Sequence, residues 1–202
     1  MTGHLEVSGI GRASAVPDVV RVQVGVRCDA DDVSSALADA STRATALAQA
    51  ARDHGVVDAD LRTTGTGVHP RHDREGTTVV GYTAYQSLSV TVRDPGLVGS
   101  LVEAFAGVAG NALTVDDIRL ELADPEPVLA RAREAAWADA LAKAQQYAAL
   151  AGRELGKVEE LSDVVQSGPA PRFALAAGAA ESALEPGEHT VTATVAVRWE
   201  WT

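Results

Sequence analysis

His189-Thr190-Val191-Thr192-Ala193-Thr194-Val195-Ala196-Val197-Arg198-Trp199-Glu200-Trp201 decides the fold. Val191, Ala193, Val195, Val197, Trp199 and Trp201 alternate with Thr190, Thr192, Thr194, Arg198 and Glu200. A period of two sends these sets to opposite faces of a strand, one packed and one wet. The chain therefore closes by inserting a strand into a sheet. Val20, Val22, Val24, Val26 and Cys28 repeat the pattern near the start.

Working outward, the period changes to that of a helix. Val33, Leu37, Ala40, Ala44, Leu47 and Ala51 form one stripe, with Asp31 or Asp32 at its start and Gly55 at its end. Leu61–His72 reads as a polar strand, turned by a loop at 73–77 into a long return strand over 78–93. Asp94-Pro95 and Asp124-Pro125 start two further helices, with Pro in the first turn, where its missing N–H costs nothing. Gly110 and Gly152 stop them. Strands are expected over 5–13, 19–28, 113–123 and 158–165. Gly9 and Gly11 read as bends or a bulge in the first.

The order is β-β-α-β-β-α-β-α-β-β. It predicts a two-layer α+β fold: a mixed, largely antiparallel sheet with helices packed on one face. The 202 residues are expected to form a single domain over 1–202. The helix–strand–strand stretches 32–93 and 125–201 look like loose echoes of one another. A low-complexity loop occupies 166–187.

The third helix is apolar over a wide arc. Trp137, Leu141, Ala144, Ala148 and Ala151 form one stripe; Leu129, Ala132, Ala136, Ala140, Tyr147 and Leu150 form another. One side should meet its own sheet and the other a second subunit. The interface expected from this reading comprises Ala136, Ala140, Ala144 and Tyr147, with Trp199 and Trp201.

Composition sets the function classes. A net charge of −11, from 17 cations and 28 acids, makes a poor phosphate-binding surface and speaks against a nucleic-acid partner. No apolar run approaches a transmembrane length, and no export signal is visible, so a cytoplasmic location is expected. The single Cys28 lies on an apolar strand face and reads as a small buried hydrophobe.

Candidate chemistry is sparse. His69 and His72, with Asp73, are the best metal ligands on offer, yet His69 and His72 lie three apart in a strand and should diverge. Asp116-Asp117 reads as a turn or bulge opening a strand rather than a carboxylate dyad. No nucleophile elbow and no phosphate loop followed by a helix is present. Neither a catalytic set nor a cofactor is expected.

An ordered set of fragments then resembles SIMPL-domain proteins. Val7-Ser8-Gly9-Ile10-Gly11, Pro17-Asp18 and Val24-Gly25-Val26 come first. Thr63-Thr64, Gly81-Tyr82, Ser87–Asp94 and Ala132-Arg133-Glu134-Ala135-Ala136 follow. Lys143-Ala144, Ala151-Gly152, Leu155-Gly156-Lys157-Val158 and Glu185-Pro186-Gly187-Glu188 complete it. The resemblance implies an α+β fold, a periplasmic setting for many relatives, large ring- or channel-like homo-oligomers in some, and roles in envelope structure, stress protection or scaffolding. It implies no catalytic residues and no cofactor. The leading expectation is a non-enzymatic homo-oligomer. The alternatives are a protein- or peptide-binding scaffold that accepts an added strand along 61–72, and a metal-dependent hydrolase using His69 and His72.

Overall fold

The computed structural model describes residues 3–167 and 187–201. Among them, strands β1 (His4–Ala15), β2 (Val19–Ala30), β3 (Leu61–His72), β4 (Val79–Val92), β5 (Leu113–Glu121), β6 (Leu155–Ser167) and β7 (His189–Trp201) alternate with helices α1 (Val33–Asp53), α2 (Val98–Ala109) and α3 (Glu126–Ala151) in the expected order. The fold is two-layer α+β. Its strands divide between two antiparallel sheets rather than sharing a mixed one, ordered β1-β7-β6 and β3-β4-β2-β5. Of the low-complexity loop, 166–167 belong to β6, Gly187 precedes β7, and 168–186 lie outside the described residues.

The chain divides into two compact units. A terminal unit takes β1, α3, β6 and β7; a central unit takes β2 to β5 with α1 and α2. The helix–hairpin echo becomes visible in their topology. β6-β7 pairs through β7 with β1, and β3-β4 pairs through β4 with β2. In each case the second strand of the hairpin is flanked by an earlier strand and by its own partner.

In the central unit, Val20, Val22, Val24 and Val26 turn one face of β2 into the core, against Leu47, Leu101, Phe105 and Leu120. Asp32 starts α1 by accepting the Ser35 amide at 3.0 Å. The buried arc of α1 runs through Ala36, Ala40, Ala44, Leu47 and Ala50. It is rotated from the expected stripe, so that Leu37 falls at its margin and Val33, in the first turn, is exposed. Asp94 accepts the Gly96 amide at 2.9 Å and opens a short 3-10 turn that leads into α2.

In the terminal unit, α3 lies over β1 and β7. Its buried line is Ala132, Ala136, Ala140, Ala144 and Ala148, one residue per turn. Gly9 and Gly11 of β1 explain how close the helix comes. A Cβ on Gly9 would overlap the Ala136 carbonyl and lie 2.7 Å from the Ala140 Cβ; one on Gly11 would overlap backbone at Ala132 and Ala136. These glycines are not bends in the strand; they are the floor on which the helix rests.

Candidate functional site

The alanine line settles where α3 spends its apolar surface. Ala136, Ala140 and Ala144, expected at a subunit interface, are fully buried beneath their own helix, on their own sheet. Trp199 is buried in the same cluster, its ring 6.1 Å from that of Trp137. These four residues are therefore core residues of their own unit: glycines on the sheet and alanines on the helix let the backbones approach and bury them. Tyr147 is 51% exposed. Trp201 is half-buried, with the Arg153 guanidinium 5.8 Å over its ring and its amide donating to the Gly3 carbonyl.

What remains uncovered lies beside the helix. Sitting over β1 and β7, α3 leaves the helix-facing side of β6 open. Val158 stands opposite Trp199 and Leu161 opposite Val197, on that face, yet they are 44% and 53% exposed. Trp137, on the flank of α3 toward β6, is also partly exposed. An ion pair crosses the gap, Arg133 Nε to Asp163 Oδ2 at 3.0 Å, and at the start of β6 Leu155 packs against the alanine cluster.

The two edges of this sheet are treated differently. Along β1 the helix supplies polar partners to the edge backbone. Asp139 Oδ2 accepts the Ile10 amide at 2.8 Å, Lys143 Nζ donates to the Ser8 carbonyl at 3.1 Å, and Arg131 donates to the Ser14 carbonyl at 2.9 Å. Lys143 also binds Asp139 at 2.6 Å. Lys143 first, then the Ile10 amide, hold the Asp139 carboxyl below its ordinary range. Side chains thus close β1 to strand addition. Along β6 the described residues show no such closure: the strand pairs with β7 alone, and its register slips between Val158 and Glu160, leaving Glu159 exposed at the slip. Glu160 reaches back across the sheet to Arg198 at 2.7 Å, and Glu6 on β1 meets the same guanidinium at 2.8 Å.

The central unit repeats the theme with opposite charge. β3 is an edge strand, paired only with β4 among the described residues. It carries Arg62, His69, Arg71 and His72 and no acid. Pro70 suits such a position, since it has no N–H to donate. Arg71 pairs with Asp29 at 3.2 Å, and Asp29 also accepts the Thr83 hydroxyl. On the other side of the sheet, β5 carries Asp116 at a register slip opposite Gln23 and Val24, the bulge expected of Asp116-Asp117. Asp117 pairs with Arg119, and Arg21 with Glu121 at 2.6 Å.

The metal candidates do not converge. His69 is exposed with its ring 6.3 Å from Tyr85, His72 is exposed beyond a register slip, and Asp73 accepts the Thr77 amide within the hairpin turn. Among the described residues no three His, Cys, Asp or Glu are grouped to hold a metal ion. Cys28 is buried; burial pushes its thiol up, opposed by the nearby Arg43. No helix of the described residues is long and apolar enough to cross a membrane.

The open β6 edge was legible only in part. Its alternating residues mark a strand, but an edge position follows from pairing, and pairing is not written locally. The closure of β1 by Arg131, Asp139 and Lys143 left one sequence trace, the i,i+4 spacing of Asp139 and Lys143.

Two α+β units built on a helix and a returning hairpin define the class of protein. The chain belongs to the SIMPL family, whose model, described as "Protein of unknown function (DUF541)", matches residues 5–199. It is 29% identical over 168 residues to the 26 kDa periplasmic immunogenic protein of Brucella melitensis, covering 80% of this chain and 66% of that one. To the uncharacterized protein YggE of Escherichia coli it is 27% identical over 157 residues, covering 77% and 63%. The chain thus matches slightly under two thirds of these relatives' lengths. A crystal structure of an unknown protein from Galdieria sulphuraria covers 90% of this chain and 83% of its own at 10% identity, with a TM-score of 0.25; at that level no argument rests on it.

Proposed function

We propose that this chain is a non-enzymatic building block that assembles with copies of itself into a closed, ring- or channel-like homo-oligomer with a structural role. The observation that carries this reading is the uncovered side of β6. Val158 and Leu161 face the helix layer without a helix above them, on a strand whose far side has no partner among the described residues. Exposed apolar side chains on an unpaired edge promote association unless something blocks it. β1, in the same sheet, carries such blocks.

The name of the Brucella relative speaks for a periplasmic setting. Nothing in the comparisons speaks for the cytoplasmic location expected above. A scaffold accepting a foreign strand along β3 is the second reading, favoured by the edge position of that strand.

Light scattering on the purified chain at micromolar concentration tests the proposal. The expected mass is a multiple of the 20.9 kDa chain. Leu161→Glu is expected to reduce it to one chain with unchanged far-ultraviolet circular dichroism. A wild-type chain that stays single rejects the reading.

A further inference from the structure

We infer that β6 of one copy adds to β3 of a second copy, joining the terminal sheet of the first to the central sheet of the second across a charge-matched seam. The inference rests on the homo-oligomer proposed above and names its contact.

Each sheet has two edges, and closure and charge together leave β3 as the edge that matches β6. β1 is closed, because Arg131, Asp139 and Lys143 occupy its edge backbone. β6 carries Glu159, Glu160 and Asp163 against Lys157. Pairing β6 with itself would bring those carboxylates together. Pairing it with β5 would set them against Asp116, Asp117 and Glu121, of which Asp117 is met by Arg119 and Glu121 by Arg21 while Asp116 adds a further acid. Like charges across a strand pair are destabilising, and opposite charges stabilise it. β3 alone among the four edge strands holds cations and no acid. It stands out in a chain whose net charge is −11.

The two strands also fit in size and surface. β3 has 12 residues and β6 has 13. Val68 on β3, like Val158 and Leu161 on β6, is an exposed apolar side chain that a neighbouring strand would cover. Within one chain the two strands belong to different sheets and do not pair. Because they differ, the contact is head-to-tail: every copy offers one β6 and one β3. Such a contact closes into a ring when its rotation permits and otherwise propagates as a filament.

Paired charge reversals test this. In variant one, Arg62→Glu with Arg71→Glu makes β3 acidic like β6. In variant two, Glu159→Lys with Glu160→Lys makes β6 basic like β3. Each variant alone is expected to scatter as a single 20.9 kDa chain. Mixed in equal amounts, they should regain the wild-type mass, because each reversed edge then meets its complement and each unreversed edge does too. Recovery on mixing cannot come from two misfolded proteins.

Arg71 and Glu160 take part in surface ion pairs within the chain, so the milder pair Arg62→Glu and Glu159→Lys repeats the test; those two side chains are exposed. If the wild type is oligomeric and the reversed variants keep its mass alone, or dissociate and do not recover on mixing, the β6–β3 seam is wrong while the homo-oligomer stands. If the wild type is a single chain, both fail.

Discussion

Gly9→Ala separates the close-packed reading of α3 on β1 from an ordinary strand glycine. Intrinsic preference alone says that alanine in a strand interior is better than glycine by about 0.5–1 kcal/mol. The structure predicts the opposite sign. The new methyl would lie 2.5 Å from the Ala140 amide nitrogen and 2.7 Å from its Cβ, where ordinary contact begins at 3.4 Å. The obstructing atoms include helix backbone, so no side-chain rotation relieves them. The helix must withdraw by roughly 1 Å, and a gap of that size forfeits about a quarter to a half of each contact's dispersion energy. The loss runs along Ala132, Ala136, Ala140 and Ala144, which all face the sheet. We expect a cost at the upper end of overpacking, about 3 kcal/mol.

The assay is urea unfolding followed by tryptophan fluorescence with linear extrapolation. The chain has three tryptophans, Trp137, Trp199 and Trp201, and all lie in the terminal unit, so the signal reports the unit in question. Gly107→Ala in α2 is the matched control. It has open space where the methyl would go, and should stabilise the chain by about 1 kcal/mol when followed by circular dichroism. A Gly9→Ala protein within about 0.5 kcal/mol of wild type, the range of neutral surface changes, would refute the close approach.

Cys28 should be silent toward a thiol-specific disulfide reagent in the native chain and react fully in urea, because it is buried and burial raises its thiol; native reaction at the rate of a free thiol would contradict this. The Asp139 carboxyl is held low in the folded chain, so its contribution is complete above its ordinary value of 3.8 and is lost as pH falls through the lower folded value. Wild type should therefore exceed Asp139→Asn in urea midpoint at neutral pH, and the difference should shrink in acid. A difference that stays constant into strong acid would remove the ion pair from the account.

The sequence carries element order well because each element has a local signature. The β7 alternation, the Asp-Pro helix starts and the glycine stops at Gly110 and Gly152 are all read within a few residues. Division into two sheets is not local. β1 and β2 both alternate and follow one another, yet β1 pairs with β7 and β2 with β4 and β5. The same limit hides which side of α3 is buried. Periodicity shows that α3 is apolar over a wide arc, but which part faces the sheet depends on Gly9 and Gly11, more than a hundred residues upstream. The narrow alanine line could enter the groove they make, so the alanines became core. Trp137 stayed at the margin, and Tyr147 and Leu150 remained outside, Leu150 at 77% exposure.

The two units resemble one another in a way that bears on assembly. In both, the helix before the hairpin lies over the early strand and the second hairpin strand, α3 over β1 and β7, α1 over β2 and β4. The first hairpin strand, β6 or β3, is left at the edge. The opposite edge is dealt with in each unit by a different device: α3 side chains along β1, the added strand β5 along β2. The open edges therefore occupy equivalent positions, and geometry alone would let either pair with itself. Charge breaks that equivalence. The acids of β6 and the arginines of β3 disfavour both self-pairings and favour the mixed one. An echo in topology with a reversal in charge lets one chain carry both halves of the head-to-tail contact proposed above.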